Sequence, residues 1–308
     1  VLVGLSVYGI GARDLVALAQ EAEACGFDRL WLGEHLLLPV DYSAVHPTRD
    51  AATERAAAIV GRETRLVDPL VALGAVAAAT TTLRLATGIY LLALRHPLAA
   101  ARGVLTLQEL AEGRLTLGVG AGWLIEEFDA LGVPWDDRTQ RLTESVEILR
   151  RAFSGGPFEH HGACFDFGRV QLTSRPVDVP VVLGGNSPAA LRRAAGHGDG
   201  WFASGNPSQD EALALVRRVR HHHERAGRID PFPVTVRVSP PTTDGLGAYA
   251  AAGIDEVVFW AHELCPAPPD AGVGVGPEAP GRWDGLADAA IALGLRPTRT
   301  DSRLAVRT

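Results

Sequence analysis

The chain has 308 residues, 47% apolar and 21% charged, a balance that excludes a disordered polyelectrolyte and allows a sizeable core. A formal net charge of -7 without a basic stripe excludes a surface built to neutralise nucleic-acid phosphates and leaves small molecules as the expected partners. Leu66 to Leu83, the longest stretch nearly free of charge, is broken by Asp68, Pro69 and three threonines, so no membrane span is expected.

Short apolar runs alternate with helix-length amphipathic stretches, the signature of parallel βα units. In chain order the strands are expected at Leu2 to Ser6, Arg29 to Leu32, Leu83 to Ile89, Leu115 to Val119, Pro180 to Leu183, Gly200 to Ala203, Val234 to Val238 and Glu256 to Phe259. The helices between them are expected at Ala12 to Cys25, Pro69 to Thr80, Pro97 to Ala111, Asp137 to Phe153, Pro188 to Ala195, Ser208 to Ala226 and Thr242 to Ala252. Trp283 to Leu293 would close the ring. Gly26, Gly113, Gly196, Gly227 and Gly253 stand where left-handed helix ends are expected, and Asp68-Pro69 and Ser187-Pro188 read as N-cap followed by proline. Eight such units predict an α/β fold, a (β/α)8 TIM barrel formed as one domain over residues 1–308.

Three stretches exceed the repeat: 39–67, 155–176 and 265–282. The first two, the second carrying a hairpin over Phe158 to Leu172, are expected to lie over the C-terminal mouth of the strands as lids. The third, rich in Pro and Gly, reads as a loop. The first residues show no basic region, apolar region and cleavage site in succession. Cys25, Cys164 and Cys265 have neither zinc nor disulfide spacing, so a cytoplasmic protein with ordinary thiols is expected.

Functional side chains of such barrels gather at strand C-termini. There stand Glu34-His35 after the second strand, Gly88-Ile89 after the third, Gly118 to Trp123 after the fourth, Gly184-Gly185-Asn186-Ser187 after the fifth, and Trp201 in the sixth. Read alone, His35 is either a satisfied core histidine or an acid/base group, and Glu34 either orients it or faces solvent. Gly118, Gly120 and Gly122 suit a close approach of backbone to a planar ring, or merely a flexible turn. Trp123 and Trp201 line a pocket or pack in the core. Ser187-Pro188 opens a helix whose N-terminus attracts anions, and Asn186 or Ser187 could donate to one. His221, His222 and His223, consecutive on a helix, read as a solvated face, and His160-His161 lacks companion ligands; no metal site is expected.

Taken in order, Gly26 to His35 (GFDRLWLGEH), Ala86 to Ile89 (ATGI), Arg95 to Leu98 (RHPL), Gly113 to Trp123 (GRLTLGVGAGW), Gly184 to Ser187 (GGNS) and Gly198 to Trp201 (GDGW) resemble the luciferase-like superfamily, especially its branch dependent on the deazaflavin coenzyme F420. The resemblance runs to about residue 262 and implies hydride transfer between F420 and a small organic substrate. His35 would be the acid/base group beside the ring. Gly88-Ile89 would form a non-prolyl cis peptide behind it, with Gly120 and Gly122 close by, and Gly184 to Ser187 would cradle the coenzyme phosphate. The resemblance also implies a homodimer. An FMN-dependent monooxygenase, served by a flavin reductase, is the alternative, and a non-catalytic flavin-binding barrel is a third reading. The F420-dependent glucose-6-phosphate dehydrogenases differ from this chain at Ala121, where they have Glu, and at Pro39, where they have Trp, which argues against that sugar phosphate as substrate.

Overall fold

Alternation of apolar runs with amphipathic helices resolves, in the computed structural model, into eight parallel strands that close on themselves. The structure describes residues 1–49, 64–239, 246–265, 283 and 285–297. Its elements are β1 (Leu2–Val7), α1 (Ala12–Cys25), β2 (Arg29–Leu32), α2 (Pro69–Ala79), β3 (Arg84–Thr87), α3 (Pro97–Leu110), β4 (Leu115–Val119), α4 (Ile125–Leu131) and α5 (Arg138–Phe153). A hairpin of β5 (Phe158–His161) and β6 (Asp166–Val170) follows. Then come β7 (Val181–Gly184), α6 (Pro188–His197), β8 (Gly200–Phe202), α7 (Gln209–Arg225), β9 (Val234–Val238), α8 (Leu246–Ala251), β10 (Glu256–Trp260), α9 (Ala261–Leu264) and α10 (Gly285–Ala292). The barrel runs β1-β2-β3-β4-β7-β8-β9-β10 and closes by pairing β10 with β1, so it is a (β/α)8 TIM barrel.

Strand residues alternate between two environments, as a period of two requires. Outward side chains such as Leu5, Leu30, Leu85, Leu117 and Val236 join the helices in the large core. Inward ones form a smaller cluster of Trp31, Ala86, Val182, Phe202 and Val258, in which the Trp31 and Phe202 rings stack with centroids 4.7 Å apart. Below it, Glu256 accepts a hydrogen bond from Trp31 Nε1 at 2.7 Å and pairs with Arg29. Glycine at position 4 makes room, since a Cβ there would come within 2.6 Å of Glu256 Oε1.

Helix ends follow the local sequence with one exception. Asp68 Oδ1 accepts from the N–H groups of Leu70 and Val71, and Gly26, Gly113, Gly227 and Gly253 have φ between 70° and 86°. Gly196 instead lies inside α6, which runs on to His197, so its expected role as a helix end is corrected.

The insertions behave differently from one another. The hairpin leaves the C-terminal end of α5 and lies on the outer flank: Phe158 receives Arg151 on its ring face, and Phe165 meets Arg141 and His96. Glu144 of α5 binds it by accepting the N–H of Cys164 at 3.0 Å and of Phe165 at 3.2 Å. It therefore does not lie over the mouth, contrary to the expectation of a lid. The described part of 39–67 does cross the mouth, because His46 reaches Trp123 after β4 while Thr48 packs on Gly205 after β8. Residues 50–63 of that insertion, and the third insertion from residue 266 on, lie outside the described residues. Among the described residues no helix is long and apolar enough to cross a membrane.

Candidate active site

His35 emerges from β2 at the C-terminal mouth and is buried. Its Nδ1 lies 2.8 Å from Glu127 Oε2, and Glu127 is itself fully buried at the N-terminal end of α4. The second oxygen, Oε1, accepts the backbone N–H of Leu36 at 2.7 Å. Glu127 thus grips both the histidine ring and the chain that follows it, and the carboxylate makes Nδ1 the protonated nitrogen, leaving Nε2 as an acceptor. Around the imidazole stand Tyr8 at 5.8 Å and Trp123 at 5.6 Å between centroids, both edge-on, with His46 and Tyr42 closing on the other side of Trp123. The Tyr8 hydroxyl is enclosed without a partner among the described residues. Burial raises its pKa, with the charge of Glu127 acting the same way, so the phenol stays protonated.

Glu34 neither orients His35 nor faces solvent. Both its oxygens bind Arg95, whose Nη1 and Nη2 lie at 3.0 and 2.5 Å, and Oε2 also accepts the N–H of Leu91 at 2.7 Å. Burial is the largest influence on this carboxyl and raises its pKa, against the charge of Arg95. Arg95 in turn covers the Tyr90 ring at 4.1 Å. Glu34 therefore anchors the chain beyond β3, and its expected place among the catalytic groups is corrected.

Gly88-Ile89 is a cis peptide. The half-buried Ile89 side chain rests on the inner cluster of Trp31 and Phe202 and forms a shelf at the mouth. Three expected ring-facing glycines serve this shelf and its supports: a Cβ on Gly120 would lie 1.8 Å from Ile89 Cδ1, one on Gly118 would lie 2.1 Å from the Thr87 carbonyl oxygen, and one on Gly122 would lie 2.9 Å from Phe128. The room they provide is taken by Ile89, Thr87 and Phe128 of this chain.

After β7, Gly185 has φ 114° and turns the chain into α6, where Ser187 Oγ accepts the N–H of Ala190 at 3.2 Å. The Ser187 hydroxyl hydrogen remains available to an anion. Asn186 is committed on both ends to Ser204, donating to its carbonyl and accepting its N–H, each at 2.8 Å. It holds the loops after β7 and β8 together, and its second amide hydrogen remains beside the Ser187 hydroxyl as an expected donor. Trp201 is fully buried in the outer core and donates Nε1–H to the Gly185 carbonyl at 2.8 Å, which supports the turn from behind and removes Trp201 from the pocket. Trp123 stands at the mouth, edge-on to both His35 and His46. His223 is buried against Phe232, with centroids 4.5 Å apart, so it does not share the solvated face expected of His221 to His223.

Glu127, Tyr8 and Arg237, which faces the barrel interior between Phe202 and Trp260, escape the sequence reading. Glu127 carries a faint signal in its place one turn after the Gly118 to Trp123 motif.

A (β/α)8 barrel with an oriented histidine, an aromatic wall and a glycine-led helix N-terminus gathers its candidate site at one mouth, where barrels of the oxidoreductase class carry theirs. The model of the luciferase-like monooxygenase family matches residues 3–251, and the chain belongs to that family. Among its relatives, an uncharacterized protein of Mycobacterium tuberculosis is 31% identical over 79% of this chain and 83% of its own length. An F420-dependent glucose-6-phosphate dehydrogenase of Beutenbergia cavernae is 32% identical over 64% of this chain and 54% of its own. The fold is shared with the coenzyme F420 dependent tetrahydromethanopterin reductase of Methanopyrus kandleri, at a TM-score of 0.68 and 17% identity over 96% of this chain and 99% of that one.

Proposed function

We propose that this protein is an F420-dependent oxidoreductase that moves a hydride between the deazaflavin and a small organic substrate. The observation that carries the reading is the His35–Glu127 pair, buried at the barrel mouth between Tyr8 and Trp123. The residues present fit a planar coenzyme with a phosphate: Ile89 offers an apolar shelf, seated in the room that Gly120 leaves for it, and Gly185-Asn186-Ser187 opens α6 with a hydroxyl donor to spare. When bound, F420 supplies a ring that carries two electrons as hydride.

The chain's own residues supply the rest. His35 Nε2 takes the proton of a substrate hydroxyl or returns one to a carbonyl oxygen, while Glu127 keeps the tautomer and steadies the charge that forms on the imidazole. The Tyr8 phenol, held protonated, can donate to the same substrate oxygen. Trp123 and the 39–49 segment cover the mouth and exclude water. Glucose 6-phosphate is not the proposed substrate, because Ala121 and Pro39 replace the Glu and Trp that those dehydrogenases carry.

Titration of the purified protein with F420 and, separately, FMN, followed by ring fluorescence, tests the coenzyme. Micromolar binding of F420 with FMN ignored supports the reading. Preference for FMN replaces it with a monooxygenase that needs a flavin reductase, and binding of neither overturns both.

A further inference from the structure

The barrel interior treats its arginines unequally. Arg29, at the bottom, has Glu256, and Arg95, beside the mouth, has Glu34. Arg237 of β9 is more deeply buried than either, at 6% exposure, yet among the described residues it forms no ion pair and donates no hydrogen bond. Its guanidinium lies between two aromatic faces, 4.1 Å from the Trp260 centroid and 5.1 Å from that of Phe202. Two cation–π contacts offset only part of the cost of burying the guanidinium, whose Nε–H is fully enclosed without an acceptor among the described residues.

The neighbouring wall is similarly unsatisfied. β9, β10 and β1 are adjacent, and the hydroxyls of Ser6 on β1 and Tyr8 just beyond it are enclosed without partners among the described residues. Glu263 of α9, directly after β10, accepts from Ser239 Oγ at 2.5 Å through one oxygen, and the other has no partner among the described residues. Burial lowers the pKa of Arg237 to about 10, against the field of Glu263, so the group remains a cation at neutral pH. Folds tolerate an uncompensated buried charge where a ligand completes it.

We propose that Arg237 anchors a carboxylate on the substrate, with the Ser6 hydroxyl as a second donor. This rests on the mouth being the reaction site. A planar, singly charged group with two acceptor oxygens matches the guanidinium fork, whose plane Phe202 and Trp260 fix. One cation with a carboxylate nearby suits a monoanion better than a phosphate dianion.

The test uses the coenzyme-free full chain and two probe pairs, acetate against acetamide and benzoate against benzamide, by calorimetric titration. Wild type is expected to bind the carboxylates and to bind the amides at least about tenfold more weakly. Arg237→Met should weaken carboxylate binding about 30-fold or more, with Arg237→Lys intermediate. Glu263→Gln, which removes a competing negative charge, should strengthen it. The Tm of coenzyme-free Arg237→Met should equal or exceed that of wild type, because the variant loses an uncompensated charge. A lowered Tm or failure to fold in both Arg237 variants would make Arg237 structural and overturn the proposal. So would carboxylate binding that is absent in wild type or unchanged in Arg237→Met. If Arg237→Met weakens F420 or FMN binding and spares benzoate, the coenzyme ring and not the substrate lies against Arg237, which also overturns it. Failure of wild type to bind either coenzyme sinks the oxidoreductase reading but leaves the carboxylate titration readable.

Discussion

Glu127 holds Nδ1 of His35 at 2.8 Å across 92 positions of sequence, and the same carboxylate accepts the N–H of the residue that follows the histidine. Glu127→Gln keeps the size and removes the charge. Turnover is expected to fall about 10- to 100-fold, with the acidic limb of the pH–rate profile displaced and coenzyme Kd unchanged. A purely structural Glu127 would change Tm and leave the pH profile in place.

His35→Ala removes the proposed proton-transfer group without touching the Ile89 shelf or the turn into α6. Turnover should drop about 10² to 10⁴-fold while coenzyme titrations stay within twofold of wild type. Retained turnover would assign the proton transfer to another group, with Tyr8 next to be replaced.

Gly118→Ala and Gly113→Ala separate two reasons for glycine. At 118 the new Cβ would lie 2.1 Å from the Thr87 carbonyl oxygen, a backbone atom that no rotamer change can move, so β3 and β4 must part. A loss of about 3 kcal/mol is expected. At 113 nothing lies within 4 Å, and only φ 83° opposes a side chain, which costs about 1 to 2 kcal/mol. Urea unfolding of both variants measures the difference.

Arg95→Met strands the Glu34 carboxylate in the interior and should cost about 3 to 5 kcal/mol. Glu34→Leu combined with Arg95→Met should recover much of that loss, since no charge is left unpaired. Burial already raises the Glu34 pKa, and without Arg95 the opposing influence is gone. With a folded pKa above the unfolded one, the stability of Arg95→Met is fully present below the ordinary carboxyl pKa and declines as pH rises through the folded value. A pH series of unfolding curves reads this out.

Cys25, almost completely buried, has its thiol pushed from 9.0 up to about 12, chiefly by burial and then by Glu21. The folded state therefore holds this proton more tightly than the unfolded chain. Its contribution to stability is intact below pH 9 and is lost as pH climbs towards 12. Stability should fall more steeply over that range in wild type than in Cys25→Ala, and iodoacetamide at pH 8 should modify half-exposed Cys164 well before Cys25.

The sequence by itself determined the barrel and the place of His35. Strand and helix periods are written over a few residues each, and helix ends such as Asp68 or Gly26 depend on neighbours within one turn. The resemblance to the luciferase-like family did the same for the cis peptide at Gly88-Ile89. Tertiary structure alone decided which partner each of these groups received. Glu34 went to Arg95 and Glu127 to His35 because barrel closure brings β2, the β3 loop and α4 to one rim, and no local pattern encodes that meeting. Trp201 left the pocket for the core because strand parity turns it outward while Phe202 faces in. The hairpin lies on the flank because it leaves the C-terminal end of α5, a connection opposite the mouth. Arg237 looked like any strand arginine until the closed barrel set it between Phe202 and Trp260 and left its Nε–H without an acceptor among the described residues.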